Sequence, residues 1–355
     1  MTLRATEGFD HYTSAADMNL RVGALQWTEG VGGFGGGGTW AITTPGRGGY
    51  GACLQITTNS ITPQLIGSFN ANLAEAFFGF AMTFTNATAY LSLQLLDPLA
   101  SGAPQLSLNF VLATGTIQLY RGGTLIESSA PNAFNGSVWS FYEVGATIAS
   151  SGGSLVVQVN GTTVLSYSGN TQETGNSSFG AVGLQISRGD GNATFSLDDF
   201  RYNDTTTGPG TYPCSGFMGD LRVQALYATA NSAVTWTPLA GANWQEVSET
   251  AFDGDTSYNA TSTVGDEDLF TMGPVPSSAT VIAVSLIGAY RNGDATVHTL
   301  TQQLSVGGTD HAGAVQTLGL GYQFVSDVFA VNPTTGDSWA AADVNAMLAG
   351  YKVAS

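Results

Sequence analysis

Strict alternation of apolar and polar residues is the feature of this sequence that most constrains its fold. It runs through residues 90–96 (YLSLQLL), 106–112 (LSLNFVL), 116–122 (TIQLYRG) and 154–169. A period of two places neighbouring side chains on opposite faces, as in a strand with one buried and one solvated face. Within the last run, Asn160-Gly161 separates two alternating halves, and this dipeptide favours a two-residue hairpin turn. The pattern predicts an all-β fold built from antiparallel strands.

A break in the alternation predicts the domain organisation. Residues 203–216 (NDTTTGPGTYPCSG) are rich in Thr, Gly and Pro, which is typical of a connection between domains. We therefore predict a β-sandwich (jelly-roll) domain at residues 1–205, a linker at 206–216 and a second β-sandwich domain at 217–355. The strand-like runs of the second domain are 220–228, 280–291, 298–308 and 321–329.

One short helix is predicted near the C-terminus, within residues 333–353. Ser338 stands where an N-cap residue belongs, Ala and Leu fill the interior, and Gly350 stands where a C-cap glycine belongs. The predicted fold class is therefore all-β, with two β-sandwich domains and one short helix.

The charge balance excludes several classes of partner. The chain has 26 acidic and 9 basic residues and a net charge of −17. Nucleic acids are bound by neutralising phosphates with Lys and Arg, so neither a nucleic acid nor an anionic membrane surface is a predicted partner. No apolar run reaches the roughly 18–20 residues that span a bilayer, so membrane insertion is not predicted. The N-terminal residues lack the apolar core of a signal peptide, so we expect synthesis and folding in a cytoplasm.

The glycine-rich stretch GFGGGG (33–38) matches the pattern G-x-G-x-x-G of dinucleotide-binding loops. That loop works at the N-terminus of a helix, where the glycines let the backbone approach a pyrophosphate. Here Pro45 and an alternating strand follow instead of a helix. We therefore interpret the stretch as a connection between strands.

Catalytic motifs are weak in this sequence. There is no G-x-S-x-G, and the three histidines lie far apart. The acids that a glycosidase would need lie mostly in turn contexts, and Glu143 stands alone on its predicted strand. We predict that the protein is not an enzyme. Cys53 and Cys214 form no C-x-x-C motif, which leaves two free thiols or one bridge as alternatives.

Two acidic positions could bind a metal ion. Asp10 (in EGFDHY) and Asp198 (in SLDDF) lie beside the first and last predicted strands of the first domain. If these strands pair, the two carboxylates could share a structural Ca²⁺, with Glu7 nearby, because Ca²⁺ prefers carboxylate and carbonyl oxygens. Asp253 and Asp255 form a second candidate. The alternative is that these acids accept hydrogen bonds from backbone N–H groups in turns. Ca²⁺ is therefore a candidate ligand and no cofactor is required.

Three tryptophans lie in or beside polar, turn-like sequence: Trp27, Trp236 and Trp244. An exposed indole could stack on a sugar ring or contact a partner protein. The alternative is that each of them fills or covers a core.

An ordered set of pieces in the first domain resembles the laminin-G-like, concanavalin-A-like jelly roll. The pieces are residues 7–12 (EGFDHY), 46–56 (GRGGYGACLQI), 139–171 and 197–204 (LDDFRYND). The resemblance implies a jelly roll of about 200 residues. In that family, carboxylates at the two terminal strands often hold Ca²⁺, which points to Asp10 and Asp198. Its catalytic members carry clustered acids on one strand, and this sequence departs from them there.

The two-domain arrangement resembles virion proteins of tailed bacteriophages. Six pieces that are similar to theirs occur in order: residues 216–227, 243–249, 253–258, 268–276, 281–291 and 332–353. The resemblance implies a virion location and other virion proteins as partners. It also implies self-association, with a trimer favoured.

These observations predict a structural protein on the outside of a tailed-phage virion, as a tail appendage or head decoration. It would act by subunit packing and by adhesion to the host surface. The alternative is a Ca²⁺-dependent, lectin-like module that binds host surface glycans, and a third hypothesis is a glycan depolymerase.

Overall fold

The computed structural model describes residues 2–22, 25–29, 38–58, 64–85, 89–187, 193–205 and 216–355. The chain forms two compact units. The first contains Met1–Asn19, Ala24–Thr207 and Cys214–Val223, and the second contains Leu20–Gly23, Gly208–Pro213 and Gln224–Ser355. Residues 217–223, which we placed at the start of the second domain, thus pack with the first unit. Residues 33–37 of the glycine-rich stretch lie outside the described residues.

The first unit contains fifteen strands among the residues that the structure describes. In chain order they are β1 (Thr2–Glu7), β2 (Leu25–Glu29), β3 (Gly38–Thr43), β4 (Cys53–Thr58), β5 (Gln64–Leu73), β6 (Glu75–Thr85), β7 (Tyr90–Asp97), β8 (Ala103–Val111), β9 (Thr116–Arg121), β10 (Thr124–Ser128), β11 (Ser140–Thr147), β12 (Gly153–Val159), β13 (Thr162–Gly169), β14 (Phe179–Ser187) and β15 (Thr194–Asp204). Short 3₁₀ segments cover Ala15–Leu20, Arg47–Gly49 and Pro98–Ala100.

These strands form two antiparallel sheets. The eight-stranded sheet has the order β13-β12-β11-β6-β15-β4-β3, with β1 paired to β15, and the seven-stranded sheet has the order β10-β9-β8-β7-β14-β5-β2. The pairing of β1 with β15 joins the first strand of the unit to its last, as the calcium prediction required.

An aromatic core joins the two sheets of the first unit. Phe110 of the seven-stranded sheet packs edge-on against Tyr142 of the eight-stranded sheet, with ring centroids 5.4 Å apart, and Phe69 stacks on Phe78 at 5.5 Å. Side chains from both inner faces thus interdigitate, which is the packing of a β-sandwich. The predicted sandwich is confirmed.

The turn between β12 and β13 has the predicted geometry. Asn160 and Gly161 both have positive φ angles, of 49° and 79°. A type I′ turn requires positive φ at both central residues, and Asn and Gly adopt it at the lowest cost.

The second unit is also built from strands. They are β16 (Ala228–Val234), β17 (Thr237–Pro238), β18 (Asn259–Ala260), β19 (Glu267–Met272), β20 (Val284–Tyr290), β21 (Thr299–Val306), β22 (Thr309–Ala312), β23 (Gln316–Thr317), β24 (Gln323–Phe329) and β25 (Leu348–Val353). A 3₁₀ segment covers Asn243–Val247, and the helix α1 covers Ala341–Ala346.

A six-stranded sheet of order β16-β19-β25-β21-β22, with β23 paired to β21, forms the frame of the second unit. The β20–β24 pair supplies Val284 and Leu286 to a core that also contains Leu304 and Val306 of β21 and Trp339. The all-β prediction is therefore confirmed for the second unit too.

Two predictions of local structure are wrong. Residues 220–227 do not form a strand, because Val223 N and the Asp220 side chain bond to side chains of the first unit instead of a neighbouring strand. The helix begins at Ala341 rather than after Ser338, and Gly350 lies within β25. Strand β25 pairs with both β19 and β21, so sheet pairing rather than a C-cap ends the helix.

No helix that the structure describes is long and apolar enough to cross a membrane.

Candidate functional site

The side of the seven-stranded sheet that faces away from the core carries two rows of residues, most of them uncharged and polar, which we name the amide face. Adjacent register places these ten residues side by side across β9, β8, β7, β14 and β5: Gln118, Asn109, Ser92, Gln185 and Gln64 in one row, and Tyr120, Ser107, Gln94, Gly183 and Ile66 in the other. They lie on the face opposite the core, because the alternate residues of β8, Leu106, Leu108 and Phe110, are buried in the core. Ser92 at the centre of this face is itself only 5% exposed.

A chain of glutamine hydrogen bonds crosses the centre of the amide face. Gln64 Nε2 donates to Gln94 Oε1 at 3.1 Å, and Gln94 Nε2 donates to Gln185 Oε1 at 3.4 Å. Tyr120 Oη donates to Gln118 Oε1 at 3.0 Å on the same face. The amides are therefore oriented by one another, with acceptors and donors left over at the two ends of the chain.

Gly183 makes this chain of bonds possible. Gln64 lies on β5 and Gln94 on β7, with β14 between them. A Cβ at Gly183 of β14 would lie 3.2 Å from Gln64 Nε2 and 3.4 Å from Gln94 Oε1. The missing side chain leaves the space in which the two glutamines meet.

The amide face is suited to neutral ligands. None of its ten positions holds an ionisable side chain other than the Tyr120 phenol. Five strands at a spacing of about 4.8 Å give it a width of about 19 Å. It lacks the two flanking carboxylates with which glycosidases cleave their substrates. The arrangement offers hydrogen-bond donors and acceptors, together with one aromatic ring that could stack on a sugar.

A second cluster, which we name the acidic corner, contains Glu7, Asp10, Asp198 and Asp199. The pairing of β1 with β15 places Glu7 opposite Phe200, next to Asp198 and Asp199. Asp10 Oδ1 accepts a hydrogen bond from Ala52 N at 2.6 Å, and Asp198 Oδ2 accepts one from Arg47 N at 2.8 Å. The two carboxylates that the sequence analysis paired thus bind opposite ends of the same loop.

The backbone at the acidic corner is fixed by its own carboxylates. Phe9 and Asp199 have left-handed φ angles of 60° and 52°. Glu7 Oε1 accepts a hydrogen bond from Phe9 N at 2.8 Å, and Asp198 Oδ1 accepts one from Asp199 N at 2.7 Å. These bonds help to offset the cost of a conformation that non-glycine residues rarely adopt.

Burial raises the pKa values of three acids in the corner. Burial is the main cause for Asp10, whose pKa is raised to about 6, and the charges of Glu7 and Asp199 add to it. Burial and the Asp199 charge raise the pKa of Asp198 to about 7. The Arg47 guanidinium, which lies 3.2 Å from Asp199 Oδ2, partly offsets the same effect at Asp199. Negative charge at Asp10 and Asp198 is therefore under-compensated.

Side chains alone do not complete a calcium site in the acidic corner. Among the described residues, no three His, Cys, Asp or Glu side chains lie together as metal ligands. Asp10 and Asp198 fit a Ca²⁺ ion in one respect. A bound cation would stabilise their ionised carboxylates and so lower the pKa values that burial raises. The remaining ligands of a six- to eight-coordinate ion would be backbone carbonyls and water. Calcium binding by Asp10 and Asp198 stays a prediction.

We expect the first unit to become less stable as the pH rises through 6 to 7 in the presence of EDTA. A pKa that is higher in the folded than in the unfolded state adds stability at low pH, and this stability is lost as the pH rises through the folded value. Asp10→Asn keeps the bond from Ala52 N, and it should flatten the decline and raise the melting temperature at pH 8 by a few degrees. Millimolar Ca²⁺ should reverse the decline in the unmodified protein only. Calorimetry from pH 5 to 8 tests this, with Glu127→Gln as the control. Equal pH profiles for Asp10→Asn and the unmodified protein would contradict the expectation.

The structure corrects the prediction for Trp27. This residue is only 1% exposed, its Nε1 donates to Glu7 Oε2 at 3.3 Å, and it packs edge-on against Phe200. Its place on the inner face of β2 prevents contact with a glycan or a partner. Trp236 and Trp244 are half-buried and pack against the core of the second unit, and their role as contacts stays a prediction.

Other candidates from the sequence have structural partners. Asp255 accepts hydrogen bonds from Tyr322 Oη and from Arg291, both at 2.8 Å, and Asp253 accepts one from the Ser257 hydroxyl. Cys53 is buried and unbridged, with its Sγ 3.3 Å from Thr43 Oγ1. Cys214 lies outside the described residues.

Sequence reasoning missed the amide face. Its signal was present in the polar positions of the alternating strands, which are occupied by Gln, Asn, Ser and Tyr rather than by Lys or Glu. Only the order of the strands in the sheet shows that these positions are neighbours.

No protein-family model matches this chain, and no curated protein sequence matches it. Among solved structures, a protein of unknown function with a galectin-like fold from Bacillus subtilis is similar over 57% of this chain and 96% of its own, with 12% identity and a TM-score of 0.39. A prokaryotic β-1,3-1,4-glucanase (lichenase) from a mouse hindgut metagenome is similar over 57% of this chain and 100% of its own, with 17% identity and a TM-score of 0.38. A Lotus tetragonolobus seed lectin is similar over 58% of this chain and 100% of its own, with 9% identity and a TM-score of 0.36. The assignment of the fold rests on the sheets themselves.

Proposed function

We propose that this protein is an adhesion component on the outside of a tailed-phage virion, and that its first unit binds neutral host-surface glycans on the amide face. The observation that carries the proposal is the chain of mutually oriented glutamines on β5, β14 and β7, at the centre of a five-strand face with no ionisable side chain other than one phenol. Amide and hydroxyl groups match the hydroxyl groups of sugars, and orienting them before binding lowers the entropy cost of recognition.

The charge of the chain supports a neutral ligand. Three of the nine basic residues, Arg21, Arg47 and Arg201, are 3%, 8% and 2% exposed. Few cations therefore remain at the surface to offset a net charge of −17. A polyanionic capsule would be repelled, whereas a neutral glycan would not be.

The virion role is supported by the six ordered sequence pieces that resemble tailed-phage virion proteins. In this role the protein acts by subunit packing and adhesion, as a homo-oligomer for which we propose a trimer. Immunogold labelling of intact virions tests the location, and sedimentation equilibrium of the purified chain tests the oligomeric state. Unlabelled virions would overturn the virion role.

Gln94→Leu should weaken glycan binding at least tenfold, because it removes the residue that joins both glutamine bonds of the amide face. The measurement is a glycan array followed by calorimetric titration of the best neutral ligand with the full-length chain. Gln158→Leu makes the same change on β12 of the other sheet and is the matched control.

No binding to any neutral glycan, or equal affinities for the two variants, would overturn the proposal. Release of reducing ends from a bound glycan would instead favour the depolymerase. The amide face carries no carboxylate, which supports binding without cleavage there. Because the calcium prediction concerns the acidic corner, we expect binding at the amide face to survive EDTA.

A further inference from the structure

A cleft at one end of the first unit has a volume of about 820 Å³. Three segments line it: the turn between β8 and β9, residues 132–140 and the hairpin between β12 and β13. We name it the end cleft. None of its lining residues belongs to the amide face, and its volume is in the range of small-molecule sites.

The walls of the end cleft are held together by backbone contacts. Asn132 N donates to Thr114 O at 3.0 Å, and Ala133 N donates to Gly115 O at 2.8 Å. A Cβ at Gly115, where φ is 63°, would lie 2.7 Å from Phe134 O. Glycine at this position allows the two loops to touch, so the cleft has a defined shape without a ligand.

Two asparagines offer oriented donors to the end cleft. Asn135 Oδ1 accepts a hydrogen bond from Ser137 N at 3.0 Å, and Asn160 Oδ1 accepts one from Phe141 N at 2.8 Å. Because both side-chain oxygens are engaged, the Nδ2 groups remain to donate. Both residues are exposed, and neither Nδ2 donates to a residue that the structure describes.

Apolar side chains complete the lining. Leu112 is half-buried, and Val138 is 51% exposed, which is high for valine. None of the sixteen lining residues is ionisable. A fitting ligand is therefore uncharged, supplies oxygen acceptors and has an apolar face, and a pyranose ring combines these three properties.

We propose that the end cleft binds one uncharged pyranose unit of a glycan, with Asn135 and Asn160 donating to its oxygens and Val138 packing against its apolar face. This is a second saccharide site. It does not depend on the amide face, although it serves the same class of ligand.

The test uses the full-length chain and four probes: methyl β-galactoside, methyl β-glucoside, N-acetylglucosamine and glucuronic acid. Saturation-transfer NMR and calorimetric titration should detect at least one neutral sugar at millimolar concentration, and it should bind more tightly than glucuronic acid. Asn135→Asp and Asn160→Asp keep the accepting oxygen, and Asp tolerates the turn geometry at position 160. Each should weaken binding of the neutral sugar at least tenfold.

Two further variants make the outcome decisive. Val138→Ser changes an exposed side chain and should also weaken binding, about threefold or more, without affecting folding. Asn170→Asp makes the same chemical change outside the cleft, at an asparagine whose Oδ1 accepts a hydrogen bond from Gln172 N at 3.0 Å. It should leave the affinity for the neutral sugar unchanged. Absence of binding by every neutral probe, tighter binding of glucuronic acid, or full affinity in Asn135→Asp, Asn160→Asp and Val138→Ser would overturn the proposal. Loss of glycan-array binding in Gln94→Leu alone would support the amide face without supporting the end cleft.

Discussion

Arg201→Met is expected to lower the free energy of unfolding of the first unit by about 3–5 kcal/mol, because it leaves a buried carboxylate without its counter-ion. Arg201 is 2% exposed and Glu143 is 1% exposed, and Arg201 Nη2 donates to Glu143 Oε1. The same oxygen accepts bonds from Met218 N at 2.7 Å and Gly219 N at 3.0 Å. Glu143 therefore anchors residues 216–223, and the loss should spread to this segment. Differential scanning calorimetry and urea unfolding measure the change, with the transitions of the two units fitted separately.

Arg4→Met is the matched control for this prediction. Arg4 pairs with Asp204 at 2.9 Å in the same unit, but its side chain is 35% exposed. Exposed pairs contribute about 1 kcal/mol or less, so this variant should cost far less. The double variant Glu143→Gln with Arg201→Met should lose less free energy of unfolding than the sum of the losses of the two single variants. Each single variant leaves one buried charge unpaired, whereas the double variant leaves none. Equal losses in Arg201→Met and Arg4→Met would show that the buried pair has no special role.

Asp268→Asn is expected to destabilise the second unit by roughly 2–5 kcal/mol, because it places an amide donor against buried donors. Asp268 is fully buried. Its Oδ1 accepts bonds from Thr235 N at 2.8 Å and Trp236 N at 3.0 Å, and its Oδ2 accepts one from Asn243 Nδ2 at 3.0 Å. An asparagine can accept at only one of these two oxygens. Calorimetry should show the transition of the second unit at a lower temperature, and urea unfolding should show it at a lower urea concentration.

The control for Asp268→Asn is the same change at Asp310. Asp310 lies on β22 and is exposed, so Asp310→Asn should change the stability by no more than about 0.5 kcal/mol. If Asp268→Asn changed the free energy of unfolding no more than Asp310→Asn does, the Asp268 carboxylate would not stabilise the β16–β19 edge of the second unit.

Residues 216–223 also affect the charge of the acidic corner. Asp220 binds the Arg47 guanidinium at 2.6 Å, and Val223 N donates to Asp199 Oδ1 at 2.8 Å. Arg47 is thereby shared between Asp199 and Asp220, which leaves Asp10 and Asp198 without a cation of their own among the described residues. Burial remains the main cause of the raised pKa values of these two acids, and the charges of neighbouring acids add to it.

Local pattern predicted several of the first unit's strands. The alternating run at 154–169 became β12 and β13, joined by the predicted Asn160-Gly161 turn. Prediction failed at residues 220–227, although their sequence alternates equally well. This segment has no neighbouring strand, and residues within it form hydrogen bonds to side chains of the first unit instead. A strand needs a neighbour, and a local pattern cannot say whether one is available.

The candidate sites were predictable only in part. Pairing of the terminal strands placed Asp10 and Asp198 at one loop, as the sequence suggested. Trp27 was predicted as an exposed contact but is buried, because polar neighbours in the sequence do not show which face of a strand packs against the core. The glutamine bonds join residues 64, 94 and 185, which lie on three strands that are distant in sequence.

The sequence by itself determined that this protein is all-β and poor in positive charge, because these properties depend on composition and on a period of two within single strands. The order of the strands was decided by tertiary structure, because it depends on the burial of whole faces rather than on any local run. That order made Glu143 and Arg201 a buried pair, assembled the amide face from five strands and formed the end cleft from three separate segments.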